Sequence, residues 1–382
     1  MAYLGRSKAS LVAAAAVVGL AGSAALAGTD FYKQVNLVSD GSIAGTTGDP
    51  DLVNPWGVAF APGGEFWISD NVSNNISLYD GAGNKFAPSI PVSGNAMGGA
   101  APTGQVYNGT GEFGGSLFIL SGEGGAINGW NGSGNATTLI DNSTSGTVYK
   151  GLAIGNSGGK NLIYASDFNH GVVSVYGGDL KAATLAAGAF TDANLPAGYA
   201  PFNVQNINGN IYVTYALQDA AKHDDIAGAG HGFVDVFGAD GTFMQRLISG
   251  GALDSPWGIA MAPANFGKFS NDLLVGNFGD GKINAFNPTS GALLGTLSDN
   301  NGKPIVLGDL WAITFGGGGL DGATNQLFFT AGVSEESHGL FGHLDAAASG
   351  GQAVPLPNML YVLPVALALA GVSAKRLRAR EA

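Results

Sequence analysis

The sequence predicts an all-β chain folded as a six-bladed β-propeller in one domain, and three observations carry that reading. Glycine supplies 64 of the 382 residues while charged residues supply 12%, roughly double and half their ordinary shares. Helices are disfavoured, because each interior glycine costs a helix about 1 kcal/mol relative to alanine. Hydrophobic residues make up 45% of the chain, with 20 Phe, 11 Tyr and 5 Trp, enough apolar surface to offset the entropy of ordering. The third observation is a repeat of short apolar strands at a spacing of about 45 to 55 residues, the period of propeller blades.

The blades can be taken in order. Four strand openings align: Asn54-Pro55-Trp56-Gly57-Val58-Ala59, Tyr149-Lys150-Gly151-Leu152-Ala153-Ile154, Ser255-Pro256-Trp257-Gly258-Ile259-Ala260 and Leu310-Trp311-Ala312-Ile313. A second strand follows each, at residues 65–70, 161–167, 272–277 and 326–330, and a third at 75–79, 171–176, 282–286 and 339–344. Two weaker copies fill the gaps, one running from Pro102 to Trp130 and the other from Pro201 to Phe237. A four-stranded blade cannot bury both faces alone, so neighbours stack around a ring. Val35-Asn36-Leu37-Val38, ahead of the first blade, is placed to pair with the last one and cover an otherwise open sheet edge. Trp56, Phe202, Trp257 and Trp311 at the openings read as packing between blades, the alternative being an aromatic ring around a sugar-binding pore.

Both ends read as processing signals. Arg6 and Lys8 precede an apolar run at 11–26 closed by Ala25-Leu26-Ala27, the pattern of a signal peptide spanning 1–27. The propeller then occupies 28–346, a linker and motif 347–357, and a short transmembrane helix with a basic tail 358–382. The motif is Val354-Pro355-Leu356-Pro357, followed by an apolar stretch at 359–374 and by Lys375, Arg376, Arg378 and Arg380. That basic cluster stays on the cytoplasmic side by the positive-inside rule. The order of motif, short helix and basic tail resembles the PEP-CTERM class of sorting signals in its VPLP variant, with Asn358 where that variant usually has alanine. The resemblance implies an exported protein of a Gram-negative bacterium, cut near the motif by an exosortase-type enzyme and released to the cell surface or beyond.

Between residues 28 and 357 there are 10 basic and 27 acidic residues, a formal charge of −17. Nucleic acid is disfavoured as a partner, since phosphate binding needs clustered Lys and Arg. Cysteine is absent, so no disulfide or thiolate-bound metal contributes to stability.

The Asn54 to Gly57 opening, the Lys222-His223-Asp224-Asp225 loop leading into Gly232-Phe233-Val234-Asp235-Val236-Phe237, and above all the stretch from Ser255-Pro256-Trp257-Gly258 through Asn277-Phe278-Gly279-Asp280-Gly281-Lys282 to Phe286 resemble an uncharacterised family of exported bacterial propellers. More distantly, the blade pattern is similar to NHL-repeat propellers. The resemblance implies fold and address and names no reaction.

Candidate chemistry sits in two loops. One gathers His223, Asp224, Asp225 and His231, and the other contains Glu335-Glu336-Ser337-His338. Oxygen and imidazole ligands of this kind suit a divalent cation such as calcium, while Asp and His also favour solvated turns on their own account. Asp70, Asp167 and Asn277, each ending a second strand, read as turn residues capping backbone N–H groups. The chain has no Gly-x-Ser-x-Gly elbow, no HExxH and no P-loop. Two function classes follow: a non-catalytic module binding extracellular polysaccharide or a surface protein, and a metal-dependent propeller lyase or lactonase with His223 or His338 as acid or base at the central pore.

Overall fold

The computed structural model describes residues 31–347. Within them lie six sheets arranged as blades. Blade 1 is β3 (Pro55–Phe60), β4 (Phe66–Asp70), β5 (Asn75–Tyr79) and β6 (Lys85–Pro91); blade 2 is β7 (Pro102–Tyr107), β8 (Phe118–Gly122), β9 (Ala126–Trp130) and β10 (Thr137–Asp141). Blade 3 holds β11 (Tyr149–Ser157), β12 (Lys160–Asp167) and β13 (Val172–Gly177). Blade 4 is β14 (Tyr199–Ile207), β15 (Asn210–Leu217), β16 (Phe233–Gly238) and β17 (Phe243–Ser249); blade 5 is β18 (Pro256–Met261), β19 (Leu273–Asn277), β20 (Ile283–Phe286) and β21 (Leu293–Thr296). Blade 6 combines β22 (Leu310–Phe315), β23 (Gln326–Ala331) and β24 (Leu340–Ala347) with β1 (Phe31–Ser39), and β2 (Thr47–Gly48) runs parallel to the end of β1.

The six repeats read from the sequence are therefore six blades, and the ring closes as expected. β1 pairs antiparallel with β24 along its length, with Val35 opposite His343 and Val38 opposite Phe341. Tyr32 and Val38 are buried by this pairing, and the Tyr32 hydroxyl donates to the Phe266 carbonyl at 3.0 Å. Blade 3 departs from the four-stranded expectation. After β13 the chain makes a single bridge between Tyr176 and Ala182 and then runs irregularly to β14. The stretch Ala182-Ala183-Thr184-Leu185-Ala186-Ala187-Gly188-Ala189 lacks the alternation that sustains a strand and has Thr184 as its one β-branched side chain. Among the described residues no helix is long and apolar enough to cross a membrane. The signal peptide, the Val354 to Pro357 motif and the apolar tail lie outside the described residues.

The buried side chains divide as a ring of stacked sheets requires. Six apolar clusters each span one pair of neighbouring blades, including Phe66, Phe328 and Phe341 where blade 6 meets blade 1. A seventh lies on the axis and contains Trp56, Phe168, Phe202, Trp257 and Trp311.

A local irregularity repeated six times builds that axial cluster. In every blade the ladder between the first two strands slips at one place: between Pro55 and Val58, Pro102 and Gln105, Tyr149 and Gly151, Pro201 and Asn203, Pro256 and Gly258, and Leu310 and Ile313. Such bulges re-aim a side chain. The residues in the slipped stretches include Trp56, Thr103, Lys150, Phe202, Trp257 and Trp311. Glycines follow several of them because the first strands of neighbouring blades nearly touch; a β-carbon on Gly57 would strike the Thr103 carbonyl. The opening aromatics thus pack on one another across the axis.

Candidate functional site

The axis is closed by a floor of aromatic rings. Trp56 stacks on Trp311 with centroids 3.3 Å apart, Trp257 meets both edge-on at 6.1 and 5.8 Å, and Phe278 stacks on Trp311 at 4.2 Å. Trp56, Phe202, Trp257 and Trp311 are all buried, so they form a plug and present no open aromatic ring. On one side of the plug is a narrow channel of about 40 Å³, lined by first-strand residues of all six blades such as Gly57, Gly104, Leu152, Gln205, Ile259 and Ile313.

On the other side, polar groups from all six blades converge on one mouth. Lys150, at the position in β11 where other blades carry Trp or Phe, is 2% exposed. Its ammonium binds Glu123 Oε1, from the β8–β9 turn, and Asp224 Oδ1 at 3.2 Å, from the long β15–β16 loop. The same ammonium lies 5.2 Å from the centroid of the Trp56 ring and 5.9 Å from that of Phe168, a placement that offsets part of its desolvation. Burial pushes the Lys150 pKa down, but the charges of Glu123 and Asp224 outweigh it and hold the pKa above the ordinary lysine value. His223 Nδ1 lies 2.8 Å from Asp224 Oδ1. That hydrogen bond raises the imidazole pKa and, joined by Lys150, holds Asp224 below the usual carboxylate range. Asn71 Nδ2 donates to Glu123 Oε2 at 2.8 Å.

Blade 6 supplies Glu336 through an unusual turn. Ser334, Glu335 and Glu336 all have left-handed backbones, with φ of 62°, 56° and 60°, a conformation that is costly for three consecutive non-glycine residues. Asp309 holds the turn by accepting from the N–H groups of Glu335 and Glu336. Glu336 Oε2 accepts from Asn54 Nδ2 at 2.6 Å, and Asn54 Oδ1 accepts from Trp311 Nε1 at 2.9 Å, so the turn is tied directly to the aromatic floor. Burial pushes the Glu336 carboxyl up to about 7, with the Asn54 hydrogen bond acting in the opposite sense. Asp225 is likewise pushed up by burial, with the charge of Lys150 acting in the opposite sense. Among the described residues, three polar atoms here, Trp56 Nε1, Asp225 Oδ2 and Ser255 Oγ, are buried without a hydrogen-bond partner. Beside the mouth a groove of about 470 Å³ is lined by Asn71, Val72, Asn95, Met97, Glu123 and His223, among others.

The structure thus separates the four residues singled out as metal ligands. His223 and Asp224 stand with Glu123, their ligating atoms all within 4.8 Å of one another. Asp225 is not in that group, and His231 instead places Nδ1 2.9 Å from the Ile226 carbonyl. Of the other histidines, His170 bonds Asp167, His338 bonds Asp40 and His343 stands 3.1 Å from Asp345; none of them joins the Lys150 cluster. Sequence reasoning missed Glu123 and Lys150. Lys150 carried a signal all the same, as the one charged residue aligned with Trp56, Trp257 and Trp311. The strand-ending residues also differ from one another. Asp167 accepts from the His170 N–H as a turn cap, Asp70 accepts from the Ser77 hydroxyl, and Asn277 donates to the Ala252 carbonyl.

No family model matches the chain. Over 337 residues it is 33% identical to uncharacterized protein R648 of Acanthamoeba polyphaga mimivirus, an alignment covering 82% of this chain and 80% of that protein. The chain belongs to the R648 family. Uncharacterized protein L690 of the same virus is 29% identical over 337 residues, covering 82% of this chain and 85% of its own. Among solved structures, a structural genomics protein of unknown function from Bacteroides thetaiotaomicron superposes with a TM-score of 0.53 at 10% identity, over 82% of this chain and 76% of that one. At that identity the likeness concerns the fold alone, so the axial mouth of this R648-family chain has to be read from its own residues.

Proposed function

We propose that this chain is an exported binding module that holds a matrix polysaccharide at its axial mouth. The observation that carries the reading is the convergence of polar groups from six blades on one opening beside the groove at Asn71 and Met97. Sugar hydroxyls both donate and accept, and the mouth offers partners of both kinds at its surface: the exposed His223 imidazole as donor and the exposed Asp224 carboxylate as acceptor, with Glu123 beside them. Exposed Val72 and Met97 on the groove supply the apolar contact that the CH faces of a pyranose seek. A glycan array probed with residues 28–346 should return at least one polysaccharide, and E123Q and H223A should each weaken its capture about tenfold, equivalent to about 1.4 kcal/mol. A folded domain that captures no glycan and pulls down no surface protein would sink the binding reading.

The address belongs to the same proposal. It rests on the apolar run at 11–26, the Val354-Pro355-Leu356-Pro357 motif and the basic cluster ending at Arg380. Cutting near the motif should release a form shortened by roughly 25 residues, and P355A with P357A should keep the uncut chain in the membrane, the prolines holding that segment extended for a protease. Recovery of the Arg380-containing peptide from all surface material by mass spectrometry would make the tail a permanent anchor.

A second reading, an acid–base enzyme at the same mouth, is favoured by Glu336. Its carboxyl sits near 7 on a left-handed turn, and both perturbed carboxyls and local backbone strain concentrate at reacting sites. Turnover of a captured glycan, lost in E336Q while capture persists, would move the assignment to that reading.

A further inference from the structure

We infer that the Lys150 ammonium is the resident cation of the Glu123, His223 and Asp224 cluster, so that the mouth works without a divalent ion and becomes a divalent-ion site only when that ammonium is removed. The ligating atoms of the three residues lie within 4.8 Å of one another, which is the spacing of a metal site. The oxygens such an ion would need are already engaged: Glu123 Oε1 and Asp224 Oδ1 both accept from Lys150 Nζ, and Asp224 Oδ1 also faces His223 Nδ1.

A second observation shows that the place is built for a cation. Lys150 Nζ lies against the rings of Trp56 and Phe168, so aromatic surfaces and two carboxylates surround one ammonium that is otherwise sealed from water. The β11 bulge at Tyr149 and Gly151 aims it there, at the register that carries Trp56, Trp257 and Trp311 in other blades.

Charge decides the competition. Two carboxylates and one ammonium leave the trio one negative charge from neutrality, whereas a divalent ion added beside the ammonium would create a close pair of like charges in a half-buried site. With the ammonium gone, two carboxylates and a neutral imidazole balance a divalent ion. Their number and kind suit manganese or zinc rather than calcium, which takes six to eight oxygens.

The test is a titration of residues 28–346 with Mn²⁺, following free ion by electron paramagnetic resonance. Wild type should show no saturable site that E123Q removes. Lys150→Met should gain one equivalent of bound Mn²⁺ at least tenfold tighter than any residual wild-type binding, Lys150→Arg should gain none, and K150M with E123Q should lose the gain. If K150M does not fold by far-UV circular dichroism, Lys150→Gln takes its place. One equivalent bound by wild type and abolished by E123Q would overturn the inference whatever the variants do, and a folded K150M or K150Q without the gain would overturn it as well. Neither result depends on whether the mouth holds a polysaccharide.

Discussion

Two charged clusters in this molecule join the same kinds of group in opposite order. In blade 4, Arg246 of β17 bonds Asp192 and stands 3.5 Å from Asp235, whose side chain is fully buried while that of Arg246 is 20% exposed. At the mouth the cation is the buried partner, Lys150 at 2%, and Asp224 is 66% exposed. Burying the acids and leaving the cation at the rim, as in blade 4, ties strands together and offers nothing to solvent. Burying the cation and turning Asp224 outward leaves an acceptor facing solvent. The difference separates a cluster enclosed within a blade from one whose Asp224 carboxylate stays open to solvent, although the two look alike as patterns of charge in the sequence.

The largest effect that would break this contrast is on stability. R246A strands Asp192 and Asp235 in the interior and should cost about 3–5 kcal/mol in urea denaturation. K150M frees the exposed Asp224 to hydrate and leaves Glu123 its Asn71 hydrogen bond, so it should cost less, about 1.5–3 kcal/mol. Equal losses would mean that the mouth is as structural as blade 4.

A smaller effect is on pH dependence. Burial together with the charge of Asp192 pushes Asp235 up to about 7 against the pull of Arg246, and burial brings Glu336 to about the same value. An unfolded carboxyl loses its proton near pH 4, so between about pH 4 and 7 the folded chain holds protons that the unfolded one lacks, and these groups cost stability as pH rises through that window. D235N and E336Q remove the cost. Each variant should therefore gain in Tm over wild type between pH 5 and 7.5, D235N the more because its site is the better enclosed. Differences that do not change with pH would show both carboxyls titrating as free ones.

The fold was legible because each blade announces itself. Pro-Trp-Gly at residues 55–57 and 256–258 marks a first strand, and the apolar runs after it keep a regular spacing. The closure by Val35 to Val38 was legible because an unpaired strand must go somewhere in a ring. The outer edge of blade 3 was not, since an Ala-rich stretch defines no strand and also gives no sign of how it will pack. At the mouth, His223 and Asp224 stood out by residue type and Glu336 by its acidic run. Glu123, in a Gly-Glu-Gly-Gly turn, looked like an ordinary surface acid, because its partner lies 27 residues on in another blade. The slip that turns Lys150 inward belongs to strand pairing, which no single strand displays.

The clasp that closes the ring also has a mechanical consequence. Phe31 pairs with Ala347, so the chain enters and leaves the ring at neighbouring points, about 5 Å apart as adjacent strands are. Force drawing residues 31 and 347 apart would load the β1–β24 ladder one rung at a time, as a zipper is loaded, instead of shearing all its hydrogen bonds together. The ring is therefore weakest to a pull on residues 31 and 347, and the first rung to part is Phe31 with Ala347.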